Sequence, residues 1–353
     1  MYARNSWYVT SWVQDLGPSN PISVTVLGQP IVLWRANGRA VAMEDRCVHR
    51  LAPLSRGRCE GMKLRCMYHG VLYDSDGKVV EIPGQTLIPS EAKVRTFPVV
   101  EKHSWVWVWM GDPAQADEAL IPPAIGFDNP NWILGRGCLD YNAEARLIND
   151  NLLDFSHFSY VHEQSLKAGT EYAMQPPKVI ALQSGVRFER WLSENSPRAR
   201  SADGSCDSWQ EYEYHIPGVL SNWRGDFPRG TAQSCNFQRP DPARAIYMTC
   251  SSQAVTPTGA KTARYFFSYG IHRNHGDDAS LDKMMALLAE VFAEDKSMIE
   301  AQQRIIDLTP EPKIMPTAHD RGGTIFNQKV AMLVREERQF SKDSTTMIHH
   351  QQG

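Results

Sequence analysis

The sequence predicts an α+β protein of two domains, in which a small antiparallel β domain precedes a larger domain of strands and long helices. Three observations support this prediction. Short strand patterns separated by turn residues fill the first 110 or so residues, a change in composition follows them, and amphipathic helical patterns appear only beyond it. A chain of 353 residues is also longer than one hydrophobic core usually serves. We place the two domains at residues 1–113 and 114–353.

The strand nearest the predicted boundary carries three tryptophans. Trp105, Trp107 and Trp109 alternate with valines, which is the period-2 pattern of a strand with both faces occupied. Core packing explains such a tryptophan ladder better than electron transfer does. The run ends at Gly-Asp-Pro, and the acidic stretch rich in alanine and proline from Pro113 to Pro123 is typical of a linker.

The composition excludes several classes of protein. The net charge is −3 and the isoelectric point is near 6.4, so the chain lacks the basic surface that nucleic-acid binding requires. The first residues contain no charged segment followed by a long apolar run, and no apolar stretch of 18 residues occurs. We therefore expect a cytoplasmic protein that binds neither nucleic acid nor membrane.

Four metal-ligating side chains form two pairs in CVHRLAPLSRGRCEGMKLRCMYHG. Cys47 and His49 make the first pair, Cys66 and His69 make the second, and 16 residues separate the pairs. Two thiolates suit one iron of a [2Fe–2S] cluster and two imidazoles suit the other, which is Rieske ligation. A structural zinc site accepts the same four ligands, but zinc sites usually begin with a pair of cysteines and end with a pair of histidines.

The other five cysteines show no framework spacing, so we expect reduced and mostly buried thiols. They are Cys59, Cys138, Cys206, Cys235 and Cys250.

A second informative segment is EARLINDNLLDFSHFSYVHEQSL, whose apolar residues recur at helical spacing. His157 and His162 lie five residues apart in it. On a regular helix five residues turn through about 500°, so the two imidazoles would diverge by about 140°. The helix must therefore loosen or end between them if both bind one metal.

A Rieske cluster delivers single electrons and needs an acceptor. The acceptor that chemistry favours is mononuclear iron held by two histidines and one carboxylate. An amphipathic helix predicted from about Leu281 to Leu308 offers Asp295, Glu290, Glu294 and Glu300. Spacing alone does not choose among the four acids, and for the glutamates we expect a solvated helix face.

The cluster segment resembles the Rieske domain of the Rieske non-haem iron oxygenases, and the match extends to Tyr68, Gly70 and the segment IPGQ from Ile82 to Gln85. Over its whole length the chain resembles the vanillate and dicamba O-demethylase branch of that family. The resemblance implies a catalytic domain with a curved antiparallel sheet around a long helix, a helix-grip arrangement.

The resemblance also assigns candidate roles to individual residues. The segment EDKSMIEAQQ matches the helix that supplies the third iron ligand, which would be Asp295 beside His157 and His162. In the family an aspartate three residues before the first histidine bridges a cluster histidine of one subunit and an iron histidine of the next. That residue here is Asp154, with Asn151 as a second candidate catalytic residue. A homotrimer is implied with it, because cluster and iron within one subunit are far apart in the family.

The substrate side is also inferred from the resemblance. Asn222 and Arg264 fall where a substrate carboxylate is held, and Ala286 falls where a relative has a bulky residue, which implies a roomier cavity. The expected reaction is O₂-dependent monooxygenation of a methyl or methoxy group on a small, carboxylated aromatic substrate. No G-x-G-x-x-G opens a helix after a strand, so electrons from NAD(P)H should arrive through a separate flavin reductase or ferredoxin. The alternatives are a Rieske electron-transfer protein without oxygenase activity and a zinc-binding interaction module.

Overall fold

The computed structural model describes residues 2–194 and 206–350, and these form two compact units. One unit contains Tyr2–Ile121 together with Thr256–Ala260 and the helical residues from Glu337 onward. The other contains Pro122–Val255 and Lys261–Glu336. The first unit therefore includes most of the stretch that the sequence predicts to be a linker, residues 113–121, and it gains two segments from distant parts of the chain.

The first unit is an all-β domain of three small sheets. One sheet has three strands, in the order β1 (Trp7–Trp12), β11 (Trp105–Trp109) and β10 (Val99–Lys102). The second has four, β2 (Ile22–Val26), β3 (Gln29–Ala36), β4 (Arg39–Glu44) and β9 (Thr96–Phe97). The third also has four, β5 (Arg58–Glu60), β6 (Lys63–Arg65), β7 (Leu72–Tyr73) and β8 (Val79–Glu81).

The tryptophan ladder forms the central strand β11 and is buried on both faces. Trp105, Trp107 and Trp109 are each at most 1% exposed. Trp109 meets Trp7 edge to face with ring centroids 5.5 Å apart, and Trp105 packs on Trp12 at 5.4 Å. These rings therefore belong to the core, as the alternation predicts.

The second unit is built on one sheet of seven strands, antiparallel in every pairing described. Its order is β12 (Trp132–Tyr141), β18 (Thr262–His272), β17 (Tyr247–Gly259), β16 (Val219–Phe227), β15 (Cys206–His215), β14 (Gly185–Glu194) and β13 (Lys178–Leu182). The pairs β13–β14 and β15–β16 are hairpins joined by short connections, which local turns can set.

The helices of the described chain are of very unequal length, and they belong to the second unit except for the part of α5 from Glu337 onward. They are α1 (Ala145–Leu153), α2 (Glu171–Met174), α3 (Thr231–Ser234), α4 (Asp278–Leu308) and α5 (Arg321–His350). The long helix α4 begins at a capped end, because Asp277 Oδ1 accepts the backbone N–H of Ser280 at 2.8 Å.

Helix α4 packs on the sheet through aromatic side chains. Phe292 lies 4.6 Å from Phe267 and 5.3 Å from Tyr265 of β18, centroid to centroid. The buried positions of α4 include Val291, Phe292, Asp295 and Ile299, which share one face at spacings of three and four residues. The α+β prediction is confirmed: an all-β domain precedes a large antiparallel sheet with a long helix against it. No helix among the described residues combines the length and apolarity needed to cross a bilayer.

Candidate metal centres and substrate cavity

The two cysteine and histidine pairs lie on two neighbouring loops of the first unit. Cys47 and Cys66 are buried, whereas His49 and His69 are exposed with ring centroids 4.5 Å apart. Burial raises the pKa of the Cys66 thiol, and the Cys47 thiol beside it raises it further. Two adjacent sulfurs inside and two imidazoles at the surface fit a two-iron cluster with one nitrogen-ligated, outward-facing iron.

Backbone hydrogen bonds hold both loops in tight turns. The Cys66 N–H donates to Val71 O at 2.8 Å, and the Gly70 N–H donates to Cys66 O at 3.0 Å. Gly70 has φ +77°, and a Cβ on it would lie 2.8 Å from Cγ of Pro83. The turn after His69 therefore needs glycine because IPGQ packs directly against it.

Tyr73 lies beneath the first loop and contacts the sulfur of Cys47, a candidate cluster ligand. Its buried hydroxyl donates to Cys47 Sγ at 3.1 Å and accepts the Val48 N–H at 3.0 Å. A hydrogen bond to a ligating sulfur stabilises the reduced, more negative state of an iron–sulfur cluster. This residue carries a role that the sequence pattern alone did not reveal.

The second site lies where the α1 segment, by which we mean helix α1 and the residues that follow it to position 165, meets α4. His157, His162 and Asp295 each offer a ligand atom, and these atoms lie within 4.8 Å of one another. The helix α1 ends at Leu153 and a 3₁₀ turn, Phe155–Ser159, follows. The α-helix therefore ends before both histidines, and the 3₁₀ turn ends between them, at Ser159, where the sequence predicts a break. This brings two histidines five residues apart to the same site.

The hydrogen bonds of the two imidazoles fix their tautomers. His157 Nδ1 lies 2.6 Å from the carbonyl oxygen of Asp154, and His162 Nδ1 lies 2.7 Å from Glu294 Oε2. Both oxygens only accept, so each Nδ1 carries the proton and each Nε2 presents a lone pair. His162 Nε2 is 3.2 Å from Asp295 Oδ1 yet has no aligned hydrogen bond, although it is buried. Two donor atoms facing one point in this way fit a bound cation.

The two histidines differ in their affinity for protons. Burial lowers the pKa of His157. Burial also acts to lower the pKa of His162, but the hydrogen bonds and charges of Asp295 and Glu294 outweigh it, so the net shift is upward. Burial therefore favours the neutral, metal-binding ring of His157, whereas a metal ion competes more strongly with a proton at His162.

Asn151 spans two of the three ligands. Its Nδ2 donates to Asp295 Oδ1 at 3.0 Å and lies 3.3 Å from His157 Nε2. The carboxylate of Asp154 was expected to contact the imidazole of His157, and in the described structure it does not. Its carbonyl contacts His157, while its carboxylate accepts the N–H and the hydroxyl of Ser156 at 2.8 and 3.0 Å. The carboxylate caps the 3₁₀ turn because it is the first acceptor within reach of those free N–H groups.

The expectation of solvated glutamates is wrong for two of the three. Glu290 is exposed, but Glu300 accepts the Asn142 N–H at 2.8 Å. Glu294 is bound by both His162 Nδ1 and Ser165 Oγ, each at 2.7 Å. The helix turns Glu294 toward the α1 segment, so its carboxylate orients a ligand.

Replacing Glu294 with alanine is expected to weaken binding of a divalent metal at His157, His162 and Asp295 by about ten- to a hundredfold, the usual cost of losing an orienting partner. Titration of the iron-depleted mononuclear site with Fe²⁺ measures this. Glu290→Ala is the matched control, because it removes the same charge from an exposed position of α4. Equal metal affinity in the two variants would contradict the role of Glu294.

A cavity of about 360 Å³ lies between the sheet and the helices of the second unit, and Asn151 and Asp295 are part of its lining. One wall is apolar and comes from the α1 segment and α4: Leu152, Phe155, Phe158, Met284, Leu288 and Phe292. The other wall is polar and comes from three strands: Ser208 and Gln210 of β15, Asn222 and Arg224 of β16, and Thr249 and Ser251 of β17. The cavity therefore suits a molecule with one apolar and one polar end.

Of the three expected substrate contacts, Asn222 lines this cavity, and Arg264 and Ala286 are not among its lining residues. Arg264 is paired across the strands with Asp140, whose carboxylate it meets at 2.7 and 2.9 Å. Its neighbour Tyr265 packs on α4, so the alternation of the strand turns Arg264 to the opposite face.

Ala286 is exposed, because it lies about 200° around α4 from the lining residue Met284. An alanine at this position therefore does not enlarge the cavity, and that prediction is wrong.

Sequence reasoning missed Arg224, which lies partly buried in the cavity wall. The signal was available, because Arg224 stands two residues after Asn222 in GVLSNWRG, and positions i and i+2 of a strand share a face. What the sequence did not show was which face of β16 lies toward the helix.

Comparison with known proteins agrees with both sites. Residues 6–98 match the Rieske [2Fe-2S] domain, and residues 141–336 match the vanillate O-demethylase oxygenase C-terminal domain. The chain is 35% identical over 332 residues to the toluene-4-sulfonate monooxygenase system iron-sulfur subunit of Comamonas testosteroni, covering 91% of this chain and 94% of that protein. It is 30% identical to the dicamba O-demethylase oxygenase component of Stenotrophomonas maltophilia, over 86% of this chain and 88% of the relative.

Comparison of the fold with solved structures points to the same group of proteins. A crystal structure of dicamba monooxygenase bound to dicamba matches with a TM-score of 0.79 at 26% identity, covering 95% of this chain and 98% of that one. The cofactors are accordingly a Rieske [2Fe–2S] cluster and a mononuclear iron held by two histidines and an aspartate. The chain belongs to the Rieske non-haem iron oxygenases, as the terminal oxygenase component of a multicomponent system.

Proposed function

We propose that this oxygenase inserts one oxygen atom into the methyl or methoxy carbon of a small aromatic substrate that carries an acidic group. Cys47, His49, Cys66 and His69 hold the cluster, and His157, His162 and Asp295 hold the iron. Electrons come from NAD(P)H through a separate ferredoxin or flavin reductase. The observation that carries the proposal is the cavity beside the His/His/Asp site, which has one apolar wall and one polar wall.

The reaction is a two-electron monooxygenation. When bound, the cluster supplies single electrons, and the ferrous ion supplies a position at which O₂ is reduced. A methoxy substrate, O₂, two electrons and two protons give a phenol, formaldehyde and water, because the hydroxylated methoxy carbon is a hemiacetal that collapses. A ring methyl group gives a hydroxymethyl group and water instead.

The chain's own residues prepare the site for this chemistry. Asp154 and Glu294 fix the tautomers of the two histidines, and the Asn151 amide holds Asp295 beside them. Phe155, Phe158 and the apolar face of α4 exclude water from one side of the cavity. A flat aromatic ring fits against this wall, with the carbon to be oxidised toward Asn151 and Asp295.

The names of the relatives support an aromatic acid. One relative is named for toluene-4-sulfonate, and others are named for vanillate and dicamba. A Rieske electron-transfer protein is not favoured, because such a protein needs no His/His/Asp site and no cavity beside it.

We also propose that the oxygenase is a homotrimer in which the cluster of one subunit lies next to the iron site of its neighbour. The imidazole of His69 is exposed, and the partly buried carboxylate of Asp154 is bonded only to Ser156 within the described part of the chain. Asp154 can therefore still accept a hydrogen bond from His69 of a neighbouring copy, which would link cluster and iron across the interface.

The test is turnover of the holoenzyme with NADH and a surrogate reductase. A panel of methoxybenzoates is assayed for formaldehyde, and 4-methylbenzoate and toluene-4-sulfonate are assayed for hydroxymethyl products. We expect O₂-dependent product from at least one acid, coupled to NADH oxidation. A reduced cluster that reoxidises in O₂ without product from any panel member would overturn the proposal and leave an electron carrier.

A further inference from the structure

The polar wall of the cavity contains a charge that is only partly compensated. Arg224 lies in this wall with its side chain 18% exposed. In the described part of the chain its carboxylate partner is Asp226, which is reached only by Nη2, at 3.3 Å; Nη2 also donates to Ser208 Oγ at 3.1 Å. The other terminal nitrogen, Nη1, meets only the hydroxyl of Tyr172, at 3.4 Å. One edge of the guanidinium therefore retains unused donor capacity.

A second guanidinium is buried behind the same tyrosine. Arg190 is 6% exposed and lies over the ring of Tyr172, 5.2 Å from its centroid. Its Nε has no hydrogen-bond partner among the described residues, and its Nη1 donates to the carbonyl oxygen of Tyr172 at 3.4 Å. Tyr172 thus contacts two arginines, and of these Arg224 has a described carboxylate partner, Asp226.

The other charges of the lining do not remove this excess. Lys167 and Glu171 cancel each other, and Asp295 is committed to the metal. Arg224 is therefore the cation of the polar wall, and its ion pair with Asp226 is the 3.3 Å contact of Nη2, which leaves Nη1 and its edge of the guanidinium without a carboxylate. A buried, incompletely paired cation is costly, and an anionic ligand removes that cost.

The strand register surrounds Arg224 with neutral hydrogen-bonding groups. Gln210 of β15 is its partner on one side, and Thr249 of β17 is its partner on the other. Neighbouring strands are about 4.8 Å apart, so all three side chains reach one small ligand group. Asn222 adds a fourth from the next position along β16 that faces the cavity.

Three carboxamides of this wall have buried oxygens without partners. They belong to Gln210, Asn222 and Gln253. A carboxamide can rotate to present its NH₂ instead, and a ligand anion would accept from it. These unsatisfied groups on three adjacent strands are a second observation, independent of the arginine charges, that points to a ligand.

The register of the strands relates Arg224 to the segment that carries the iron ligands. Phe155, two residues before His157, stacks on Tyr212 at 4.3 Å, and Tyr212 pairs with Asn222. Arg224 lies one full pleat farther along β16, about 7 Å. An aromatic molecule spanning the cavity therefore has one end near the iron ligands and the other near Arg224.

Resting on the proposed function, we infer that Arg224, flanked by Gln210 and Thr249, binds the acidic group of the substrate, and that the substrate class is a small aromatic carboxylate or sulfonate. Both anions offer oxygens to the free edge of the guanidinium and to the surrounding hydroxyl and amide donors. The acidic group sets the orientation of the ring, and the carbon opposite it faces the metal.

The experiment measures binding to the holoenzyme by calorimetry, separately from turnover. The ligands are 4-methylbenzoate, toluene-4-sulfonate and the neutral 4-methylbenzamide. We expect the wild type to bind at least one acid about tenfold or more tighter than the amide, the usual gain from a charge-assisted pair. The preferred acid identifies the group as carboxylate or sulfonate.

Two variants test Arg224 itself. Arg224→Met with Asp226→Asn removes the buried pair together, so no charge is left unpaired, and it should abolish the preference for the acid while sparing the amide. Arg224→Lys keeps the charge but loses the planar fork, and it should retain part of the preference. Arg264→Gln is the control, because Arg264 pairs with Asp140 outside the cavity, and it should match the wild type.

An undiminished preference for acids in both Arg224 variants, or a wild type that binds the amide as tightly as the acids, would overturn the inference. Its failure is distinct from failure of the proposed function. Acids that bind through Arg224 but yield no oxygenated product contradict only the function. Oxygenation that proceeds equally on acids and amides contradicts only the subsite.

Discussion

Replacing Asp295 with alanine is expected to remove the mononuclear iron and all turnover, while the [2Fe–2S] cluster stays intact. Asp295 is the one carboxylate among the three side chains whose ligand atoms converge, and it is nearly buried. Without it two neutral imidazoles remain, and Asn151 loses the acceptor of its 3.0 Å hydrogen bond. Iron content should fall by one atom per chain, and acid-labile sulfide should not change.

The matched control for this variant is Asp282→Ala, which makes the same substitution at an exposed position of the same helix. It should keep full iron and full activity. If Asp295→Ala also keeps its mononuclear iron and turns over normally, then another carboxylate is the ligand, and Glu294, bonded to His162, is the nearest candidate.

Asp154→Asn should slow electron transfer from the reduced cluster to the iron by orders of magnitude and leave both metals in place. The substitution keeps the shape of the side chain, and an amide oxygen can still accept the Ser156 N–H that Asp154 accepts at 2.8 Å. What is lost is the negative charge that we propose links His69 of one subunit with the iron site of the next. Single-turnover reoxidation of the reduced cluster, in the presence of O₂ and substrate, measures the rate.

Ser156→Ala separates this role from local structure. It removes the 3.0 Å hydrogen bond to Asp154 without touching the charge, so its single-turnover rate should stay near that of the wild type. A normal rate in Asp154→Asn, or an equal loss in both variants, would show that Asp154 stabilises the turn and does not serve as an electron bridge.

Contacts within short segments were the most predictable part of this protein. The two Cys/His pairs and the break between His157 and His162 follow from side chains a few residues apart. The tryptophan alternation of β11 and the long helix α4 follow from periodicity. In each case the chemistry or the period needs only local geometry, which sequence spacing already specifies.

The substrate wall could not be predicted in the same way. Arg264 and Arg224 both stand on strands of the same sheet, and a period of two assigns each to a face without saying which face meets α4. That choice depends on pairing between strands far apart in the sequence, such as β12 with β18. The prediction that Ala286 lines the cavity was wrong for a similar reason. Which face of α4 meets the sheet depends on the side chains that it packs against, and helical periodicity does not specify them.

The sequence by itself determined the cofactors and the family, because metal ligation and its spacing are written in two short motifs and one helix segment. Only the tertiary structure decided which residues line the cavity and which residues form hydrogen bonds to the iron ligands. It turned Glu294 toward His162, placed Arg224 in the polar wall and directed Arg264 to Asp140. The physical reason is that side-chain direction is a property of register and packing, and long-range contacts alone fix both.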